Sequence, residues 1–359
     1  MLTLLLRWKS RPGPILAALN RYDYSLHPPR SSLPDRVTVG LIQVRSALVK
    51  SGVEFAEKQY GLIRRAVEGG AQFIVYPEYA GLPLLGLLPG LDKIDPAKSM
   101  ADAIGNLAGG AQIDIGDIFR AVGPAARRVY FTTFSALAAK FGVYLCAGSI
   151  ILPEPDGKLY NLCHLFGPDR KLIGVQRKLH VTPDEESWLS VGDDLAVFDL
   201  PFGKVAIPVC MDFTYWETTR LAELRGAEIV TNIAADEVGD DEWLRARGVR
   251  TRVHESALYG LNVFNIFDGF GLTWRGRSAV FAPPGLRAGS NLIAAAERDD
   301  DEEIVIAELD LTALRRFRAE NPPDYNPALY EKYLPRAYST RPERASVHRS
   351  SVDGGIDRS

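Results

Sequence analysis

Cysteine is scarce in this chain: Cys146, Cys163 and Cys210 are the only three in 359 residues, too few for a disulfide framework at this length. Two of them, Cys146 and Cys163, lie in apolar strand-like runs, so a reducing, cytoplasmic compartment is the expected setting. A dominant charge is missing as well. Lys and Arg number 42 against 45 Asp and Glu, giving a net charge of -3 with no basic run, which argues against nucleic acid as the main partner. No apolar stretch reaches the length of a membrane span. There is no glycine-rich phosphate loop and no internal repeat. The five histidines (His27, His164, His180, His254, His348) show no ligand spacing, so no metal and no cofactor is expected. What is present, 46% hydrophobic and 24% charged residues, fits a soluble α/β enzyme with one main domain.

Strand and helix patterns alternate along that domain. After the apolar run from Val37 to Gln43, residues Val53, Ala56, Tyr60, Ile63 and Val67 recur at three- and four-residue spacing, a helix stopped by Gly69-Gly70. Further helices are expected over 131–140, 216–225 and 241–259, and strands over 143–151, 228–233 and 261–267. Two strand-like runs flank the turn Gly167-Pro168-Asp169-Arg170, a hairpin signal. Leu82 to Leu91 reads as a pocket wall or an oligomer contact. Residues 1–36 form an N-terminal extension whose apolar Leu2 to Leu6 precedes its basic residues, the reverse of a secretory signal. It is expected to pack on the body or on a neighbouring subunit. Residues 319–340, with Pro322, Pro323 and Pro327, read as an arm too proline-rich for a long helix, and 341–359 as a disordered tail.

Chemistry gathers at three strand ends. The run Val205 to Val209 halts at Cys210, where a strand end fixes the side chain and the N–H groups of the following turn favour negative charge. A lone cysteine of this kind is more often a small buried hydrophobe. Phe73 to Tyr76, however, runs into Pro77-Glu78, and a third strand-like stretch ends at Lys178. A carboxylate can take the thiol proton, an ammonium can stabilise an oxyanion, and sulfur can attack a carbonyl or nitrile carbon.

With these elements, in order, the sequence resembles the nitrilase, or carbon–nitrogen hydrolase, superfamily, in its amidase-like branch. The resemblance runs from about Val37 to about Tyr333, through Pro77-Glu78, Arg177-Lys178-Leu179-His180, Cys210-Met211-Asp212, Arg252-Val253-His254-Glu255 and the closing strand Glu303 to Leu311. It implies a four-layer αββα sandwich over residues 37–318 and pairing into a homodimer or larger homo-oligomer. It implies Glu78 as general base, Lys178 and the Met211 backbone N–H at the oxyanion, and Cys210 as nucleophile. A second glutamate belongs beside them. Spacing from Lys178 and Gly192 selects Glu185, with Glu186 the alternative. Tyr79, Phe213, Tyr215, Trp216 and Asn232 are candidate substrate contacts, with core packing an equal explanation for the aromatics.

The implied reaction is hydrolysis of a small amide or carbamoyl compound through a cysteine thioester. Nitrile hydrolysis or N-acyl transfer at the same site are the alternatives, and a non-catalytic scaffold or redox sensor is a further one. Two departures narrow the choice. True nitrilases carry tryptophan and glutamate after the cysteine, where Met211-Asp212 stands here, which favours amides. Many carbamoylases and aliphatic amidases carry arginine where this chain has Thr214, so that route to a substrate carboxylate is in question.

Overall fold

The expected alternation appears as two sheets joined edge to edge. The computed structural model describes residues 1–23, 35–91, 98–99, 114–237, 248–322 and 325–339. The strands are β1 (Arg36–Arg45), β2 (Phe73–Val75), β3 (Tyr144–Pro153), β4 (Leu159–Phe166), β5 (Leu172–Arg177), β6 (Val197–Leu200), β7 (Gly203–Ala206), β8 (Ile229–Ala234), β9 (Tyr259–Gly269), β10 (Leu272–Trp274), β11 (Ala279–Phe281), β12 (Leu292–Ala295) and β13 (Glu303–Asp310). One half runs β5-β4-β3-β2-β1, with β13 antiparallel on β1. The other runs β6-β7-β8-β9, with β11 and β12 beyond. Strand pairing joins them at the end of β1, which pairs with β9, Val44 beside Asn265 and Arg45 beside Ile266.

Three separate apolar cores show why this makes four layers. Val37, Val39 and Leu41 of β1 pack across to Val205 of β7 and Leu261 of β9, so the halves stack face to face. The opposite side of β1, Ile42 and Val44, packs under the helices α3 (Gly52–Glu68) and α4 (Ile115–Phe141). On the far face, Ala206 and Val230 lie under α5 (Trp216–Leu224) and α6 (Val249–Glu255) through Ala222 and Val253. Period-two alternation gives central strands such as β1 and β8 one inter-sheet face and one helix face, both buried. The fold is therefore an αββα sandwich. No helix among the described residues is long and apolar enough to cross a membrane.

Several elements differ from expectation. The helix expected over 131–140 begins at Ile115, with Asp114 as its N-cap accepting from the Gly116 N–H at 2.6 Å. Pro124 and two glycines inside it masked the pattern. Of the helix expected over 241–259, residues 241–247 lie outside the described residues. The helix present is Val249–Glu255, and Tyr259 opens β9 because its side chain is needed in the inter-sheet core. Of the run from Leu82 to Leu91, Leu82 reaches the cavity described below, while Leu84, Leu85 and Leu87 are buried in the α3–α4 core.

The N-terminal residues form α1 (Leu2–Lys9) and α2 (Pro12–Asn20), which bury Leu6, Ile15 and Leu19 in that same core. After α7 (Leu311–Glu320), residues 321–359 make a separate unit. Here the expectation of no long helix is corrected: Pro327–Ser339 is α8, with Pro327 at the first helical position, where no N–H is needed. Pro335 forfeits one hydrogen bond, and the good helix formers between the two prolines carry the turn. Residues 341–359 lie outside the described residues.

Candidate active site

Glu78 stands just beyond the end of β2, and the chain turns sharply there: Tyr79 holds a left-handed backbone, φ 57°. Gly148 in β3 makes the turn possible, since a Cβ there would come within 2.2 Å of the Pro77 carbonyl oxygen. The carboxylate is 1% exposed. Its Oε1 accepts from Lys178 Nζ at 2.9 Å and from Asn161 Nδ2 at 2.9 Å, and the Glu78 carbonyl accepts from Asn265 Nδ2 at 2.9 Å.

Lys178 follows β5 and is 1% exposed. Its ammonium also donates to both Glu185 oxygens, at 3.0 and 2.8 Å. Glu185 is set by a tight turn whose Thr182 N–H donates to Oε2 at 2.8 Å, and the Tyr79 hydroxyl donates to Oε1. Glu186, the alternative, is exposed. The lysine ammonium is thus held between two carboxylates.

Cys210 opens a 3-10 turn, Cys210–Thr214, with a left-handed φ of 46°. Such strained non-glycine residues concentrate at functional sites. The thiol shares the cavity with Glu78, and Asp236 Oδ1 is 3.8 Å from its sulfur. Asp212 ties this turn to the lysine. Fully buried, it accepts from the N–H groups of Val209 (2.9 Å), Leu179 (3.0 Å) and His180 (2.7 Å), and meets His180 Nδ1 at 3.0 Å. Glu78, Lys178, Glu185, Cys210 and Met211 all line one cavity of about 550 Å³.

Known proteins share this sequence pattern and fold. The sequence matches the carbon-nitrogen hydrolase family over residues 38–319. The chain belongs to that family. It is similar to a probable hydrolase of Bacillus subtilis, YhcX, 29% identical over 80% of this chain and 52% of that protein. This chain therefore spans about half the length of the Bacillus relative. It is 27% identical to the Bos taurus omega-amidase NIT2 over 79% of this chain and 92% of the relative. Among solved structures, a carbon-nitrogen hydrolase from Helicobacter pylori G27 superimposes with TM-score 0.63 at 22% identity, covering 84% of this chain and 99% of the other. A glutamate-to-glutamine mutant of the amidase from Nesterenkonia sp. AN1, described as carrying the acetamide moiety of fluoroacetamide on its active site cysteine, gives TM-score 0.60 at 16% identity, covering 84% and 98%.

Electrostatics in this carbon-nitrogen hydrolase follow from burial. Loss of water pushes the Glu78 carboxyl up to about 7; Lys178 pulls against this and Glu185 adds to it. Burial works against the Lys178 ammonium, yet Glu78, Cys210 and Glu185 hold its pKa above the ordinary lysine value. Burial also works to raise Glu185, but Lys178, the Tyr79 hydroxyl and the Thr182 N–H carry it below the usual carboxylate range. The Cys210 thiol is driven well above its ordinary value, first by burial and then by Glu78 and Asp236. The resting site therefore holds a neutral thiol beside a carboxyl that titrates near neutrality.

Of the expected substrate contacts, Tyr79, Phe213 and Asn232 line the cavity. Tyr215 and Trp216 do not. Tyr215 leaves the 3-10 turn in an extended conformation and rests its ring on His180, centroids 4.4 Å apart, while Trp216 opens α5. Sequence reasoning missed Asn161, Asn265 and the bracing role of Asp212. All three are polar side chains buried at strand or turn positions, a signal present in the chain but without a partner legible there. Among the described residues no group of three His, Cys, Asp or Glu side chains is set to hold a metal ion.

Proposed function

We propose that this carbon-nitrogen hydrolase cleaves the C–N bond of a small amide or carbamoyl compound through a thioester on Cys210. The observation that carries the reading is the convergence of Glu78, Lys178, Glu185 and Cys210 on one cavity, with the lysine held rigidly between the carboxylates. Glu78 takes the thiol proton as sulfur attacks the carbonyl carbon. The oxyanion forms against the Lys178 ammonium and the Met211 N–H. Glu78 returns the proton to the departing nitrogen, ammonia or an amine leaves, and a thioester remains. Water, deprotonated by Glu78 and positioned with the help of Glu185, then releases the acid and restores the thiol. The sum is amide plus water giving acid plus amine, with no other reactant.

Asn232 fits the substrate's amide group. Its Oδ1 is buried with no partner among the described residues, and its Nδ2 donates to Asn262 Oδ1 at 2.9 Å. A substrate N–H would satisfy that oxygen. The omega-amidase relatives support an amide, as does the Met211-Asp212 pair after the cysteine.

The pH dependence of ammonia release tests the proton shuttle. Only ionised Glu78 can accept the thiol proton, so kcat/KM should rise with pH along one limb with an apparent pKa near 7. At pH 5 such a group is about 1% ionised, and the rate should fall roughly a hundredfold from its plateau. Lys178 and Cys210, both shifted upward, add no falling limb between pH 7 and 9. A profile that falls from pH 6 to 8 would exclude Glu78 as the base.

A homodimer or larger homo-oligomer and a cytoplasmic setting belong to the same proposal. Helix α8 carries Leu329, Tyr330 and Tyr333, apolar anchors suited to a neighbouring subunit. Truncation after Glu320 should lower the number of subunits per particle found by light scattering, and an unchanged number rules out this arm as an assembly element. Cys146 and Cys163, free thiols 3.3 Å apart in the inter-sheet core, fit a reducing compartment.

A further inference from the structure

The reacting groups share their cavity with many other side chains. A cavity of about 550 Å³ lies within the ~300–1,000 Å³ range of sites that enclose drug-sized ligands. An acetamide-sized substrate would leave most of it filled with water. Much of the lining is aromatic and aliphatic, and its rings stack on one another.

One wall starts at the chemistry itself. Tyr79, next to Glu78, has its ring centroid 5.9 Å from Lys178 Nζ and stacks on Trp274, with centroids 5.3 Å apart and planes at 22°. Phe267 lies 5.0 Å from Trp274, and Phe270 lies 6.0 Å from Phe267. All four rings line the cavity. The second wall is Phe119 stacked on Trp188, centroids 5.3 Å apart and planes at 1°, with Leu82 and Ile151 beside them. Trp188 is locked further by its indole N–H, which donates to the Asp184 carbonyl at 2.9 Å. Fixed rings bury a ligand's apolar surface without losing rotamer freedom of their own.

The charge pattern points the same way. Lys178 is the single cationic side chain among the described lining residues, and Glu78 and Glu185 already share it. Asp184 and Glu237, both exposed, line the cavity as carboxylates, and Thr214 stands at the position four after Cys210. An anionic substrate tail would meet like charge there.

Building on the hydrolase reading above, we infer that the substrate is the amide of a bulky apolar acid, an arylalkyl or longer aliphatic acyl group, rather than of a short dicarboxylic acid. The acyl group lies between the Tyr79–Trp274 and Phe119–Trp188 walls, and its carbonyl carbon meets Cys210. The covalent step is the one already balanced: the C–N bond breaks as the C–S bond forms, and the proton passes through Glu78 to the leaving nitrogen.

The test is kcat/KM from ammonia release with acetamide, butyramide, hexanamide, 3-phenylpropanamide and glutaramic acid. Along the apolar series kcat/KM should rise about fourfold per added methylene, following the transfer free energy of a buried CH₂. 3-Phenylpropanamide should exceed acetamide about a hundredfold, and glutaramic acid should fall below butyramide. In Trp188→Ala the ratio of 3-phenylpropanamide to acetamide should drop at least fivefold, and Trp188→Phe, which keeps a flat ring, should restore most of it. A flat series, a preference for glutaramic acid, or an unchanged ratio in Trp188→Ala overturns the inference while leaving the hydrolase standing. No ammonia from any of these amides, with no acyl mass on Cys210, overturns the hydrolase reading and this one with it.

Discussion

Cys210→Ala should lose turnover by about 10⁴-fold or more, because removing the nucleophile removes the covalent path and leaves only binding and the oxyanion site. Cys210→Ser should be nearly as poor. The site holds its thiol neutral, since burial and two carboxylates raise its pKa, and a serine hydroxyl is harder still to deprotonate. Glu78→Gln should also lose turnover but keep the sulfur, so a strong electrophile such as iodoacetamide should still alkylate it slowly. Cys146→Ala and Cys163→Ala should retain activity, since both residues are buried in the inter-sheet core away from the cavity lining. Intact-protein mass spectrometry after substrate addition, followed by peptide mapping, reads all five variants. Acyl mass on a peptide other than the one holding Cys210, or full activity in Cys210→Ala, would refute the mechanism.

Glu78, Lys178 and Cys210, which the structure brings to one cavity, stood out in the sequence because each sits where an apolar run stops. Phe73 to Tyr76 ends at Glu78, the β5 run ends at Lys178, and Val205 to Val209 ends at Cys210. A strand end announces itself through a change of composition within a few residues, and the four-layer fold followed from the resemblance carried by those same segments. What braces them was not legible. Asp212 reaches back to the backbone of Leu179 and His180, more than thirty residues earlier, and Asn265 reaches Glu78 across 187 positions. Such pairings depend on which sheet edges meet, which no local pattern carries. The same limit explains Tyr215 and Trp216. Their nearness to Cys210 in sequence made them candidates, but a 3-10 turn followed by one extended residue sends them out of the cavity. The start of α4 was hidden for a different reason. Gly123 and Pro124 are poor helix formers, and tertiary packing of Phe119, Val122 and Ala126 overrides them.

Lys178→Met should be costly in two ways, and pH separates them. Methionine is close in length to the aliphatic part of lysine, so packing is largely conserved. The two carboxylates are left facing each other in a buried space, which is the uncompensated half of a broken buried ion pair. Such breaks typically cost about 3–5 kcal/mol. Turnover should fall roughly 10²–10³-fold as well, from the lost oxyanion donor. The stability loss carries a definite sign with pH. Lys178 lowers the pKa of both Glu78 and Glu185, so its removal raises both in the folded state. A folded-state carboxyl raised above its unfolded value binds protons that the unfolded chain has already released, so unfolding free energy increases as pH falls through that window. The stability deficit of Lys178→Met relative to the parent chain should therefore be largest near pH 8 and shrink by about 1 kcal/mol or more at pH 5, a tenfold change in a carboxyl's proton affinity being worth about 1.4 kcal/mol. Urea unfolding followed by tryptophan fluorescence at the two pH values measures it. An equal deficit at both would mean that the ammonium contributes through packing alone, and that the carboxylates it bridges are already neutral in the parent protein.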